Sequence, residues 1–175
     1  MRTLIFDTET TGLVKNSLTP LDKQPSVIEF FGLVLNDNEE VESFTTLINP
    51  GFKIEYIITN ITGITNDMLS DKPKFRESAE TIKNMIEGAD EVVAHNLAFD
   101  KAMLDFEFMR LDTELKWPAM ICTVEATRHL KGHRLNLMAL YEMLFSERFT
   151  EAHRAENDVR ALARCFLKLR ENGAV

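Results

Sequence analysis

The chain has 175 residues, 45% hydrophobic and 27% charged, a balance that suits one globular domain over residues 1–175 with a buried core. No apolar run approaches the roughly 18 residues of a membrane span, and the apolar start Met1–Phe6 is too short for a signal peptide, so a cytoplasmic protein with no membrane partner is expected. The net charge of −8, from 20 basic and 28 acidic residues, argues against a protein that coats long nucleic acid.

In chain order, Thr3–Phe6 is a short apolar run that predicts a central strand ending at Asp7. Val14–Ser26 is polar, contains Pro20 and Pro25, and reads as a loop. Val27–Leu35 and Val41–Ile48 read as two further strands, with a hairpin turn across 36–40. Helices are expected over Phe75–Glu87, Leu97–Leu111, Leu135–Phe145 and Arg154–Arg170. Short strands are expected at Glu91–Ala94 and Met120–Thr123. Leading strands followed by alternating helix and strand imply an α/β domain with a mixed sheet. Cys122 and Cys165 form no CxxC, lie among apolar residues and read as buried thiols.

Asp7 and Glu9 are two apart, so in a strand both carboxylates project on the face of Ile5. Two like charges at the end of a buried strand are costly unless a cation binds them. An acidic surface turn is the competing reading. It is weakened by Thr10-Thr11-Gly12-Leu13, which offers hydroxyls and a flexible backbone to a ligand. Asp100 falls in the first turn of a helix, where a carboxylate suits the helix dipole, yet it borders the stripe of Met103 and Leu104. Asp158 sits on the stripe of Val159, Leu162, Cys165, Phe166 and Leu169, where an ionised Asp needs a partner. A structural ion pair with Arg154 or Arg160 would be one answer. His153 and Asp158 would point about 140° apart in one helix, so they converge only if His153 precedes it. Four carboxylates from three segments suit two hard divalent cations, whose binding would bring the charge from −8 to −4. Such a pair can activate water for in-line displacement at a phosphodiester, with His153 as the base.

These segments resemble the DEDDh (DnaQ-like) exonucleases of the RNase H-like superfamily. Phe6-Asp7-Thr8-Glu9-Thr10-Thr11-Gly12-Leu13 is similar to that family's first motif, His95-Asn96-Leu97-Ala98-Phe99-Asp100 to its second, and His153-Arg154-Ala155-Glu156-Asn157-Asp158 to its third. Ile61–Leu69 resembles its Gly-Ile-Thr segment, and Arg154 excludes the sister branch that has Tyr there. The resemblance implies an RNase H-like fold with a five-stranded mixed sheet flanked by helices. It also implies Mg²⁺, with Mn²⁺ as substitute, and release of nucleoside 5′-monophosphates from single-stranded 3′ ends. It assigns Asp7, Glu9 and Asp158 to a first metal, and Asp7 with Asp100 to a second. His153 becomes the general base, Thr10 and Leu13 contact the terminal nucleotide, and Asn96 and Phe99 shape the site.

The chain stops at Val175, soon after the third motif, without the polymerase-binding tail usual in a proofreading subunit, which favours a stand-alone nuclease. Homodimer or polymerase association stays open. Val14–Ser26 is longer than in compact members and is a candidate lid or partner surface. Arg128–Arg134 is a dense basic patch that either tracks phosphates or is a solvated junction. Two other functions remain: a non-catalytic nucleic-acid or polymerase-accessory module, and an oligoribonuclease or RNA-trimming enzyme.

Overall fold

The computed structural model describes residues 1–149 and 154–175. Its centre is a five-stranded mixed sheet in the order β3-β2-β1-β4-β5. β1 (Arg2–Thr10) pairs antiparallel with β2 (Val27–Asn36), and β2 with β3 (Glu39–Leu47). β1 also pairs parallel with β4 (Glu91–Ala94), and β4 with β5 (Ala119–Cys122). The β2–β3 hairpin turns at Asp37 and Asn38, both at positive φ, a turn whose twist matches that of paired strands.

The expected strands and helices all form, with ends shifted by a few residues. One shift matters: β1 runs on to Thr10, so the acidic pair lies inside the strand rather than beyond it. Neighbouring β2 supplies partners along this extension, Asp7 opposite Phe31 and Glu9 opposite Glu29. Three helices were not anticipated: α1 (Tyr56–Thr62), α2 (Asn66–Ser70) and α5 (Thr123–Lys131). The first is built from Tyr, Ile and Thr, residues of modest helix propensity, and closes on Gly63 in the left-handed conformation. Burial of Ile54, Ile64 and Leu69 against Ile28 of β2 supplies what propensity does not.

Strand alternation sorts the core into two layers. On one face, Leu4, Phe6, Phe30 and Val34 pack against α3 (Phe75–Glu87) and α4 (Leu97–Arg110) through Ile82, Met85, Met103, Leu104 and Phe108. α3 comes close enough to β2 that a Cβ on Gly32 would lie 3.1 Å from the Met85 methyl. On the other face, Ile5, Phe31, Leu33 and Val93 meet Val159, Leu162 and Phe166 of α7 (Ala155–Glu171). α6 (Leu137–Phe145) packs on the outer side of α7 through Leu140, Tyr141, Cys165 and Leu169. Cys165 is buried, which pushes its thiol up to about 12. Cys122 is only half-buried, because it ends the short strand β5. No helix among the described residues is long and apolar enough to cross a membrane.

The loop after β1 is not a free lid. Arg110, at the end of α4, donates through Nη2 to the carbonyls of Leu21 (3.1 Å), Gln24 (2.8 Å) and Pro25 (2.9 Å). Its Nη1 lies 3.0 Å from Glu107 Oε1, an ionic contact without the direction of a hydrogen bond. Glu107 in turn accepts from the Val27 amide (2.9 Å). The loop's base is closed by Thr11 N–H to the Ser26 carbonyl and Ser26 N–H to the Thr11 hydroxyl, both 2.9 Å.

Candidate active site

β1 ends between α7 on one face and the start of α4 on the other, and the two faces differ in chemistry. Asp7 and Glu9 continue the Ile5 face toward α7. There Asp158, in the first turn of α7, joins them: one ligand oxygen from each of Asp7, Glu9 and Asp158 lies within 4.8 Å of the others. Among the described residues these are the acidic side chains grouped closely enough to hold a cation. Burial, followed by repulsion from the neighbouring carboxylates, holds Asp7 well above the usual carboxylate range. The same two causes push Glu9 up to about 8. Three hard oxygen donors of this kind fit a divalent cation, whose charge would offset their mutual repulsion.

Asp100 arrives from the other face. It is 2% exposed, and its Oδ1 accepts from both the Thr8 hydroxyl (2.7 Å) and the Thr8 amide (3.1 Å). Burial pushes its carboxyl up to about 7, against those two hydrogen bonds, which favour the charged form. It stands near enough to Asp7 to be the largest charge acting on it. The structure therefore brings four expected carboxylates to one end of β1, three within ligand distance of each other and the fourth fixed by Thr8. His153 lies outside the described residues.

The expected nucleotide contacts are more dispersed. Leu13 is 80% exposed, while the Thr10 hydroxyl donates to the Gly12 carbonyl (2.9 Å) and shapes the turn leading to it. Asn96 caps α4 in the left-handed conformation, and its Oδ1 accepts from Arg134 (2.7 Å). Phe99 is half-buried against the α3–α4 core. The basic patch divides. Arg128, His129 and Lys131 occupy the last turn of α5, where they complement the helix dipole, whereas Arg134 donates to Asn96 and lies 3.4 Å from Glu125.

Two contributors escaped the sequence reading. Thr8 was passed over between two carboxylates. Glu29, 3% exposed and directly opposite Glu9, accepts from Arg154 Nη2 (2.8 Å) and from the Ala155 amide (3.2 Å), and so ties the start of α7 to the sheet. Arg160 lies on Glu156 and Glu40 (2.9 and 3.3 Å). The only sequence signal for Glu29 was an acidic residue inside an apolar strand. His95 lines a cavity of about 350 Å³ with Asp7, Asp158 and Phe149. Its Nε2 is 3.1 Å from the Leu135 carbonyl and can only donate there, so Nδ1 accepts from the Thr123 hydroxyl at 2.9 Å. Burial lowers this imidazole to about 4, keeping it neutral and structural.

A family model described as exonuclease matches residues 4–166. The PolC-type DNA polymerase III of Clostridium perfringens is 34% identical over 176 residues, covering 96% of this chain and 11% of that protein. The corresponding protein of Bacillus subtilis is 32% identical, covering 98% and 12%. The chain thus spans only about a ninth of the length of these relatives. Among solved structures, Exonuclease X in complex with 5′ overhanging duplex DNA aligns with a TM-score of 0.72 at 24% identity, covering 98% of this chain and 93% of that one. The nuclease domain of 3′hExo, a DEDDh family member bound to rAMP, aligns at 0.77 and 17%, covering 99% and 93%. These likenesses show the RNase H-like fold.

Proposed function

Because the chain belongs to the exonuclease family whose model spans residues 4–166, we propose that it hydrolyses phosphodiester bonds at the 3′ end of single-stranded nucleic acid, releasing nucleoside 5′-monophosphates. The observation that carries this reading is the convergence of Asp7, Glu9 and Asp158 within 4.8 Å at the end of a buried strand. Asp7, Glu9 and Asp158 would hold one Mg²⁺ or Mn²⁺, and Asp7 with Asp100 a second. Bound cations would supply positive charge beside the phosphate oxygens and make water more acidic. His153 accepts the proton of the attacking water as its oxygen bonds to phosphorus. The bond from phosphorus to the 3′ oxygen of the penultimate nucleotide breaks, and that oxygen takes up a proton from solvent water. Thr10, Leu13, Asn96 and Phe99 position the terminal nucleotide. The likeness to a segment of DNA polymerases favours DNA as substrate and a proofreading role beside a polymerase, with residues 1–175 acting as one exonuclease domain.

The test is digestion of 5′-labelled single-stranded DNA and RNA of about 20 nucleotides, with Mg²⁺ and with EDTA. A ladder shortening from the 3′ end, absent with EDTA and in Asp7→Ala, is expected. No ladder from either substrate would overturn the exonuclease reading and leave a binding module. With a dinucleotide as a third substrate, its cleavage where neither longer strand is cut would instead make the chain an oligoribonuclease.

A further inference from the structure

A second cavity, of about 910 Å³, begins where β1 ends, with Thr11, Gly12 and Leu13 in its wall. The carboxylate cavity lies before this point in the strand, with Asp7 in its lining. Two features distinguish the larger cleft from the rest of a chain whose net charge is −8. Six basic and three acidic side chains line it, and Lys15, Lys53 and Arg76 are exposed. Glu107, one of the three acids, is buried and engaged by Val27 and Arg110. Large apolar side chains also stand in solvent along its rim: Leu13 at 80%, Ile57 at 59% and Phe52 at 56% exposure. A soluble surface that leaves cations and apolar platforms side by side suits a polyanion with flat apolar faces.

We propose that this cleft carries the single strand on the 5′ side of the scissile bond, with bases resting on Leu13 and Phe52 and phosphates on Lys15, Lys53 and Arg76. The inference rests on the exonuclease reading, because the track is useful only if the strand's 3′ end lies at the carboxylates. The reaction gives the direction: the terminal nucleotide lies at the carboxylates and meets Leu13 from that side, and the preceding ones run past it. Arg110 keeps the wall formed by the 14–26 loop in place through its three carbonyl contacts. The pinned loop therefore acts as a fixed wall of the track.

The test compares two substrates: thymidine 5′-monophosphate p-nitrophenyl ester, which reaches only the carboxylate site, and a single-stranded DNA of about ten nucleotides. For Lys53→Glu/Arg76→Glu, KM for the ten-mer should rise about tenfold while ester turnover stays within twofold of wild type. The slope of log KM against log salt should fall by about 0.7 per phosphate contact removed. Phe52→Ala should raise KM for the ten-mer with no change in that slope. An unchanged KM and slope in the charge-reversal variant would overturn the proposal and leave the cleft to a protein partner. An equal rise in KM for both substrates would also overturn it. If the wild type hydrolyses neither substrate, the exonuclease reading itself fails.

Discussion

The two faces of β1 carry the same alternation and hold their acidic groups by different means. On the α7 face, Asp7, Glu9 and Asp158 crowd together, and burial with mutual repulsion drives Asp7 and Glu9 toward protonation. On the α4 face, Asp100 is more deeply buried but anchored by two hydrogen bonds from one residue, Thr8. One face places like charges against one another, a repulsion that a bound cation would relieve. The other is built by the protein before any cation arrives. Carboxylates of one constellation therefore respond differently to the same perturbation.

The largest effect should come from the crowded face. Asp7→Asn removes the group nearest all the other acids, and nuclease activity with Mg²⁺ is expected to fall by at least about 10³-fold. Relief of repulsion should leave metal-free thermal stability unchanged or higher. A lower melting temperature in EDTA would show that Asp7 is structural rather than strained. Next, Thr8→Val should cost about 10- to 100-fold in activity, the range for a lost partner of a metal-ligating group. It should also cost about 1–2 kcal/mol of stability, because buried Asp100 loses one donor. Thr8→Ser, which keeps the hydroxyl, should restore activity; failure to rescue would remove Thr8 from the positioning role.

The pH response sharpens the contrast further. Glu9 has a folded-state pKa of about 8, above its ordinary 4.5. A raised carboxyl contributes stability at low pH that is lost as pH rises from about 4.5 through 8. Without cations the protein should therefore melt at a lower temperature at pH 8.5 than at pH 6. Mg²⁺ should raise the melting temperature more at pH 8.5, where no proton must be displaced, than at pH 6. An equal Mg²⁺ shift at both values, read by scanning fluorimetry, would contradict cation binding at Glu9. The smallest effect belongs to the basic patch. Arg134→Ala, which frees Asn96, should weaken single-strand binding about threefold, whereas Lys131→Ala should change it less than twofold. Equal losses would restore the patch as one phosphate track.

What was legible in the sequence follows from what each argument measured. Strand periodicity placed Asp7 and Glu9 on one face, and the helical stripe placed Asp158 on a buried face as well, because both depend on neighbours along the chain. Asp100 was placed at the edge of a buried stripe for the same reason. Glu29 and Thr8 were missed because their roles depend on partners 92 or more residues away. α1 was missed because its β-branched residues fold as a helix only against a core that local propensity does not describe. The 14–26 segment, without periodic signal, read as a loop and a candidate lid or partner surface. It is ordered by Arg110, which is 85 to 89 residues from the carbonyls it binds.

That last contact has a consequence for the order in which the molecule assembles. The β1–β2–β3 meander is made from the first 47 residues, and such local pairing forms early. The crossing between β1 and β2, however, is tied to the helical layer only when Arg110 docks, after a chain closure of more than 80 residues. A ribosome-bound chain would display the paired strands and their acidic edge well before the mouth of the site exists. Hydrolytic competence should therefore appear as a slow phase behind the formation of sheet structure during refolding.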